Sequence, residues 1–492
     1  MEDTNNAVNV EIRSSNGFLY QLFTASIASQ AALLMGCSLG WSSPVIVLLS
    51  KSKDGFVLSK SEEGWLASIL FFGAIAGGPC AGYLIDKSGR KLALGVNAVL
   101  YALSLGVIVS AQYKWMLFAG RFLNGVSCGF TSISAPTYIS EISSASNRGK
   151  LGIMFQIMVT IGILLINVIG LIESWRWITV SIIIMDSIWL FFLYFIPESP
   201  VYHLINNNEP LARSVLQRLR GDEDIEEEVN VLKNVVASLN EKAAFSDLLK
   251  SCNLKPLLIS ILVMMGQQAS GINAVLSYSE SIFKSAHTNL KPLAETIIMD
   301  LVMVIATFFA AIVSDKLGRR VLLQISGSSI ILTLFTIGTY YFLDSHNYEI
   351  AKTIRWLPLL CLSLHVISFS MGYGPIPWLL MSEIFAPEIK GFGSAIASGS
   401  NWGMGFLVTL TFPILSDLVG QYMVFFIYGS IMIILLILSI AFVPETKGKT
   451  LDEIHRLFKP NEVPQNDEEG VEEEREELNE DDVSESDLLL NT

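Results

Sequence analysis

Residues 86–91 read DKSGRK, and residues 315–320 read DKLGRR, so one charged hexamer occurs twice in the chain. Each copy lies between two long apolar stretches. Two shorter motifs are repeated in the same order, namely SEI at 140–142 and 382–384, and PES at 197–199 with PET at 444–446. Three matches in one order, each at the end of an apolar stretch, indicate an internal duplication.

The composition indicates a membrane protein. Of 492 residues, 51% are hydrophobic and only 16% are charged, and the mean hydropathy is +0.51. A soluble chain would carry about 25% charged residues. The net charge of −14 is local, because residues 461–492 hold 14 acids and one base, which leaves 32 acids and 31 bases for the rest.

Twelve apolar stretches are long enough to cross about 30 Å of hydrocarbon as helices. They lie at 21–49, 64–85, 92–113, 115–138, 151–172, 177–197, 256–283, 294–314, 321–343, 356–382, 392–416 and 418–444. Lys and Arg are concentrated in the loops at 86–91, 146–150 and 315–320, so the positive-inside rule places these loops in the cytoplasm. An even number of spans then places both termini there.

The pattern predicts an all-α membrane protein with two related six-helix bundles. Its predicted parts are a cytoplasmic N-terminal segment (1–18), a first bundle (19–197), a cytoplasmic loop with two amphipathic helices (198–255), a second bundle (256–444) and an acidic disordered tail (445–492). The helices of the loop are expected at 211–220 and 225–239, where apolar residues have helical spacing. Two halves with substrate bound at their interface are a known plan for transporters.

The sequence contains no residue pattern that indicates a metal site, a cofactor site or an enzyme active site. The five cysteines are far apart, and the five histidines form no cluster, so we expect no zinc site and no disulfide scaffold. No nucleophile–base motif is present, and nothing indicates a nucleic-acid partner. The glycines at 73–78 lie within a span and follow no strand, so they predict close helix packing rather than a dinucleotide loop.

The repeated motifs bring ten charges to predicted cytoplasmic helix ends, where water partly solvates them. In both halves an acid of the SEI motif precedes a base by seven positions. We expect each set to form a cluster that acts as a latch and closes the inner side. Basic residues alone would be explained as signals that set the orientation in the membrane. The acid–base spacing that is repeated in both halves favours the latch. The two sets are Asp86, Arg90, Lys91, Glu141 and Arg148, and Asp315, Arg319, Arg320, Glu383 and Lys390.

The ordered motifs resemble the sugar porters of the major facilitator superfamily over roughly residues 20–459. Besides 82–91 and the PES and PET motifs, they are GRFLNGVSCG at 120–129, QQASGINA at 267–274, GPIPW at 374–378 and PETKGKTLDEI at 444–454. The stretch MSEIFAPEIKGF at 381–392 is most similar to the insect facilitated trehalose transporter-like branch. The resemblance implies the major facilitator fold and transport of a small-molecule sugar across the lipid bilayer.

A sugar site needs amides, which donate and accept hydrogen bonds, and an aromatic side chain beside the ring. Full charges are costly at the bilayer midplane. The residues that match the sugar-contacting positions of the family, or lie in its motifs, are Gln156, Gln267, Gln268, Asn273, Trp378, Asn401 and Trp402. A lone intramembrane amide is more often an interhelical hydrogen bond, but the set favours a binding site.

Three positions depart from the family pattern and leave the substrate open. Met303 and Gly405 stand where the family often has Asn, and Ser370 stands where it often has an acid. We expect the second half of the pocket to be less polar and roomier. A hexose, a disaccharide such as trehalose or another small polyol would all be compatible.

The residues of span 1 favour facilitated diffusion. Proton-coupled members of the family pair an acid in span 1 with the span 4 arginine. That arginine is Arg121 here, but span 1 has Ser38 at the matching place. We expect Arg121 to find another partner, for which Glu141 on the same span is the candidate. The intramembrane Asp186 keeps a proton-coupled symporter open as an alternative, and a non-transporting sugar sensor is a further one.

The acidic tail ends in ESDLLL at 485–490. Glu485, Leu489 and Leu490 resemble an acidic dileucine signal, which would recruit a clathrin adaptor. We therefore expect a multi-pass protein of the cell membrane that cycles through endosomes or lysosomes.

Overall fold

The computed structural model describes residues 2–51, 56–221, 225–238, 248, 250–385, 389–447, 449, 453–454 and 458. Within these ranges, the side chains of 2–16, 235, 237–238, 251–252 and 311–316 are not described. We use N-half for residues 19–197 and C-half for 256–444, which are the predicted bundles. The terms cytoplasmic end and extracellular end follow the predicted orientation.

Apart from 3₁₀ residues at Gly170–Ile172 and Leu248, the helical structure assigned to the described residues is α-helical. The helices are α1 (Glu2–Gly40), α2 (Ser42–Lys51), α3 (Lys60–Ser88), α4 (Arg90–Val109), α5 (Lys114–Ile142), α6 (Arg148–Ile169), α7 (Trp175–Leu193), α8 (Pro200–Ile205), α9 (Glu209–Arg220), α10 (Glu226–Ser238), α11 (Ser251–Ala269), α12 (Ile272–Ser285), α13 (Pro292–Leu317), α14 (Arg319–Ser345), α15 (Glu349–Thr353), α16 (Leu357–Met371), α17 (Ile376–Ile384), α18 (Lys390–Val419) and α19 (Gln421–Phe442).

The helices confirm the predicted fold class. In the described part of the chain, eleven helical segments are long and apolar enough to cross a membrane. The one predicted span that is not among these eleven, 115–138, forms α5, which carries the buried polar residues Arg121 and Asn124. Helix α5 packs against α1, α3 and α4. The two predicted amphipathic helices of the loop correspond to α9 and α10.

Glycines bring α3 and α5 into close contact. A Cβ atom on Gly73 would lie 2.2 Å from the carbonyl oxygen of Phe122, and one on Gly125 would lie 2.0 Å from that of Leu70. Because real Cβ atoms do not approach so closely, only glycine fits at these crossings. The prediction that the glycines at 73–78 serve packing agrees with this contact.

The cytoplasmic loop is attached to the N-half through α9. Arg220 donates a hydrogen bond to the carbonyl oxygen of Ile142 at 2.8 Å and forms an ion pair with Glu228. Gln21 of α1 donates to the carbonyl oxygen of Leu219 at 2.8 Å. These bonds tie the loop to the cytoplasmic ends of α1 and α5.

The two halves meet mainly through four helix pairs, which are α3 with α18, α6 with α13, α2 with α12 and α1 with α12. At the extracellular ends, Ser43 and Ser279 share a hydrogen bond of 2.8 Å, and the Tyr278 hydroxyl donates to the carbonyl oxygen of Glu63 at 3.4 Å. At the cytoplasmic ends, Arg148 and Lys390 are exposed. The described hydrogen bonds between the halves are therefore extracellular.

Gly125→Ala is expected to destabilise the protein, because the added methyl group would push α3 and α5 apart. Overpacking of this kind costs about 1–3 kcal/mol. Gly95→Ala is the matched control, since a Cβ atom on Gly95 meets nothing within 4 Å. The Tm of both variants in detergent would be compared with that of the parent. An unchanged Tm for Gly125→Ala would contradict the packing assigned to these glycines.

Candidate functional site

Four amide side chains form one hydrogen-bonded amide cluster, composed of Gln267, Gln268, Asn273 and Asn401. Asn401 Nδ2 donates to Gln267 Oε1 at 2.7 Å, and Gln268 Nε2 donates to Asn401 Oδ1 at 3.0 Å. Asn273 Nδ2 donates to Gln268 Oε1 at 2.5 Å. The structure thus brings together four of the seven residues expected to bind substrate.

The amide cluster lies beside two interrupted helices. Span 7 breaks between α11 and α12 at Gly271, whose φ of 81° favours glycine. Span 10 breaks between α16 and α17, where Gln267 Nε2 donates to the carbonyl oxygens of Tyr373 at 2.9 Å and Gly374 at 2.6 Å. Gln267 therefore satisfies backbone groups that the break removes from the helix.

The remaining predicted contact residues have different surroundings. Trp402 is buried and packs against Phe71 with 6.0 Å between ring centroids. Gln156 and Trp378 are half-buried, and their side chains make no hydrogen bond to the described residues. The polar groups of Gln156 and Trp378 are thus available to a ligand. Within the amide cluster, Asn273 Oδ1 also has no hydrogen-bond partner among the described residues.

The positions that depart from the family pattern are occupied by tight packing. A Cβ atom on Gly405 would lie 2.9 Å from the Phe71 ring and 3.2 Å from Gln268 Oε1. Met303 is buried, and Ser370 accepts a hydrogen bond from Thr307 at 3.2 Å. The space expected at Gly405 is therefore filled by Phe71 and Gln268.

One cavity of about 340 Å³ lies away from the amide cluster. Its lining includes Lys60 and Glu63 from the N-half and Lys284 from the C-half. It opens near the extracellular ends of α2, α3 and α12.

The first charge cluster consists of Arg90, Glu141, Glu198 and Ser199. Arg90 Nη2 lies 2.8 Å from Glu141 Oε1, and Ser199 Oγ donates to Glu141 Oε2. Glu198 Oε1 accepts the backbone N–H groups of Arg90 at 2.9 Å and Lys91 at 3.1 Å. A carboxylate at the N-terminus of α4 is stabilised by the helix dipole and by the free N–H groups.

The second charge cluster repeats this arrangement with Arg319, Glu383, Glu445 and Thr446. Arg319 Nη2 lies 3.1 Å from Glu383 Oε1, and Thr446 Oγ1 donates to Glu383 Oε2 at 2.6 Å. Glu445 accepts the backbone N–H groups of Arg319 at 3.0 Å and Arg320 at 3.1 Å. Burial raises the pKa of the Glu445 carboxyl, but the backbone N–H donors lower it more, so the net shift is downward.

Sequence reasoning identified the PES and PET motifs as part of the duplication but gave them no role. Glu198, Ser199, Glu445 and Thr446 were therefore missed as members of the clusters. The repeated Glu followed by a hydroxyl residue was the available signal.

Glycine is required where each charge cluster meets a helix start. Gly89 has a φ of 96° and Gly318 a φ of 86°, a region that favours glycine. A Cβ atom on Gly89 would lie 2.4 Å from Glu198 Oε2, and one on Gly318 would lie 2.8 Å from Glu445 Oε2. The glycine of each repeated hexamer thus lets the carboxylate reach the helix end.

Three predicted latch residues do not join these clusters. The side chains of Asp86 and Arg148 are exposed and make no ion pair or hydrogen bond with the described residues. Lys390 donates to the carbonyl oxygen of Ser382 at 3.0 Å rather than to Glu383. The side chain of Asp315 lies outside the described residues. Neither cluster, as described, links the N-half to the C-half.

The expectation that Glu141 is the partner of Arg121 is wrong, since Glu141 binds Arg90. Arg121 is fully buried and donates to the carbonyl oxygen of Ser38 at 2.8 Å and to Ser42 Oγ at 3.0 Å. Its guanidinium carbon lies 4.8 Å from the centroid of the Trp41 ring. Arg121 is thus held by neutral acceptors and an aromatic ring, without a carboxylate among the described residues.

Asp186 lies in α7 with only 1% of its surface exposed. Its Oδ1 atom has no hydrogen-bond partner among the described residues. The dileucine residues Glu485, Leu489 and Leu490 lie outside the described residues.

The family model described as "Sugar (and other) transporter" matches residues 22–458. Over 448 residues, the chain is 37% identical to the facilitated trehalose transporter Tret1 of Polypedilum vanderplanki, and the match covers 89% of this chain and 88% of that protein. Tret1 of Drosophila pseudoobscura pseudoobscura is 36% identical over 441 residues, but only 51% of that protein is covered. The chain therefore spans about half the length of several curated relatives.

The fold is similar to an inward-open structure of the xylose transporter XylE from E. coli. The TM-score is 0.75 at 26% sequence identity, and the match covers 89% of this chain and 99% of that one.

Proposed function

The chain belongs to the sugar (and other) transporter family, and from this premise we propose that it is a facilitative sugar transporter that works by alternating access. The amide cluster carries the proposal. Its buried donors and acceptors lie beside two interrupted helices, where transporters of this architecture bind substrate. Gln156 and Trp378 add a free amide and an indole of the kind that a sugar ring needs.

The proposed substrate is a hexose or trehalose. Similarity to facilitated trehalose transporters supports the disaccharide. The absence of a charged side chain at positions 303, 370 and 405 supports an uncharged substrate, because hydroxyl groups are matched by amides and need no counter-ion.

Transport is proposed to be uniport. A proton-coupled site would need an acid that pairs with Arg121. The donors of Arg121 instead bind the carbonyl oxygens of Ser38 and Leu66, Ser42 Oγ and Asn124 Oδ1. Proton symport through Asp186 remains the second candidate, supported by the unpaired Oδ1 atom of this buried acid.

The protein is proposed to lie in the cell membrane with both termini in the cytoplasm. The basic loops support this orientation. The dileucine motif supports cycling through endosomes or lysosomes with a clathrin adaptor as partner. Replacement of Leu489 and Leu490 by alanine would test this part by a change in surface abundance.

A radiolabelled uptake panel in oocytes would test the proposed function. Glucose, fructose, trehalose and inositol would be supplied with and without a pH gradient. Saturable uptake of a hexose or trehalose without a gradient supports the proposal. Uptake of none of them, at normal surface abundance, would refute it.

Asn273→Ala and Gln267→Ala are each expected to reduce uptake roughly tenfold, because loss of an amide leaves sugar hydroxyls unpaired at about 1–3 kcal/mol. Asn273 is the sharper probe, since its described side-chain bond is to Gln268 alone, whereas Gln267 also supports the helix break. Gln112→Ala, at an exposed loop position, is the control. Normal uptake by both variants at normal surface abundance would rule out this pocket.

Uptake is expected to follow the sugar gradient alone and to be insensitive to a protonophore, because Arg121 has no carboxylate partner to titrate among the described residues. Accumulation above equilibrium that disappears in Asp186→Asn would favour the symporter instead. The measurement is the steady-state ratio of internal to external sugar.

The charge clusters are expected to favour the inward-closed state, because they hold the cytoplasmic helix ends in the arrangement needed for the halves to meet. Arg90→Ala, Glu141→Gln, Arg319→Ala and Glu383→Gln should each shift the carrier toward inward-open by roughly 5- to 150-fold. Equilibrium exchange and net uptake should both slow.

The readout is Leu379→Cys, next to Trp378, in a background that carries Cys80→Ser and Cys252→Ser. A membrane-impermeant thiol reagent would be applied to inside-out vesicles. Labelling should rise in all four variants and stay constant in Arg218→Ala, which changes an exposed base outside the clusters. Unchanged labelling with lost transport would assign the charges to folding.

A further inference from the structure

A buried hydrogen bond between the halves has no role in the function proposed above. Asn167 Nδ2 of α6 donates to Asp300 Oδ2 of α13 at 2.8 Å. Both side chains are fully buried. Asp300 lies eight residues after Pro292, about 12 Å from the extracellular end of its helix. The bond therefore closes the extracellular side of the interface between α6 and α13.

Two oxygen atoms of this pair are left without partners. Asp300 Oδ1 and Asn167 Oδ1 are both buried and make no hydrogen bond with the described residues. If Asp300 is ionised, both of these atoms are acceptors, and neither can satisfy the other. If Asp300 is protonated, its O–H can donate to Asn167 Oδ1, and the acid and amide then form a mutually satisfied pair.

No cation compensates Asp300 among the described residues. Its hydrogen bond to Asn167 is the single polar contact that its side chain makes with them. The four helices packed against α13 are α6, α12, α14 and α16, and none of their charged groups forms an ion pair with Asp300. A bare carboxylate would thus be buried beside an amide alone, which strongly disfavours the ionised form.

The titratable groups of these helices are engaged elsewhere or lie at helix ends. Tyr278 donates to Thr409, His365 contacts Thr333, and Tyr340 and Tyr341 donate to carbonyl oxygens of Ala286 and Ile282. On α13 itself, Glu295 accepts from Thr288. The others are Arg148 and Lys150 on α6, Glu280 and Lys284 on α12, Arg319, Arg320 and Asp344 on α14, and Cys361 on α16. The side chains of Asp315 and Lys316, at the cytoplasmic end of α13, lie outside the described residues.

We propose that Asp300 is a proton-binding site that couples closure of the extracellular side to external pH. When the halves separate at this side, Asp300 meets water and releases its proton, because an aspartate in water is ionised at neutral pH. When the halves close, the carboxylate takes one proton from extracellular water and becomes the acid that pairs with Asn167. Acidic external pH therefore favours the closed state, and alkaline pH favours the outward-open state.

The proton returns to the side from which it came. Asp300 is fully buried, and its bond to Asn167 lies on the extracellular side of the interface, so opening of the inner side does not expose it. The site therefore regulates the conformational equilibrium without carrying net protons inward. This inference rests on alternating access and on the proposed orientation, but it is independent of which sugar is carried.

The test uses Thr296→Cys in a Cys80→Ser background. Thr296 is fully buried one turn before Asp300, and its hydroxyl bonds its own helix at Pro292. A membrane-impermeant thiol reagent would be added to intact cells from about pH 6 to about pH 8.5. Ser345→Cys, at an exposed extracellular position, measures the intrinsic pH dependence of thiol labelling.

The ratio of Thr296→Cys labelling to Ser345→Cys labelling is expected to rise with pH, by up to about tenfold for each pH unit below the midpoint, and to level off above it. In Asp300→Asn, an uncharged amide of similar shape, the ratio should be low and constant. A flat ratio in the carrier with Asp300 would overturn the proposal, even if Asp300→Asn does not fold. An unchanged pH dependence in folded Asp300→Asn would overturn it as well.

An intracellular pH dye should show no acidification during sugar uptake. Acidification that Asp300→Asn abolishes would overturn the claim that the proton returns outside. The labelling experiment needs no sugar. A pH-dependent labelling ratio with no uptake in the sugar panel would therefore support the proton-binding site at Asp300 and refute the proposed transport. A flat labelling ratio with normal sugar uptake would refute the proton-binding site and support the proposed transport.

Discussion

Backbone groups freed inside a membrane protein must be satisfied by the protein itself, because lipid supplies no donors. Span 10 breaks after Met371, and this break exposes carbonyl oxygens of Tyr373 and Gly374. Gln267 donates to both, and its own oxygen is satisfied by Asn401. The amide cluster therefore follows from the broken helix, and the same amides that support the break form the polar wall available to a sugar.

The internal duplication explains why the charge clusters agree in detail. In each half, a glycine with positive φ starts a helix, a carboxylate from a distant segment caps it, and the arginine that follows the glycine binds the SEI glutamate. The two copies are not equal. Arg90 binds Glu141 through both Nε and Nη2, whereas Arg319 binds Glu383 through Nη2 and its Nε has no described partner. The second cluster is thus held by fewer charged hydrogen bonds.

Local patterns predicted most of the fold and part of the site. Apolar length identified the spans, and helical spacing identified α9 and α10. Repetition identified the ion pairs Arg90–Glu141 and Arg319–Glu383. The assignment of Glu141 to Arg121 failed because the two residues lie 20 positions apart on one helix, which separates them by about 30 Å. The role of Glu198 and the Asn167–Asp300 bond could not be read from sequence, since each joins segments more than 100 positions apart.

The distribution of bond types fits a carrier whose halves move against each other. Bonds within each half at the cytoplasmic ends join full charges, and charge-assisted hydrogen bonds are roughly twice as strong as neutral ones. Side-chain bonds between the halves at the extracellular ends join hydroxyls, carbonyls and an amide with a carboxyl group that burial keeps neutral. The interface can therefore open at a modest energetic cost while each half keeps its shape. An ionised Asp300 would place a charge-assisted hydrogen bond across the interface, and the protonation of Asp300 avoids it.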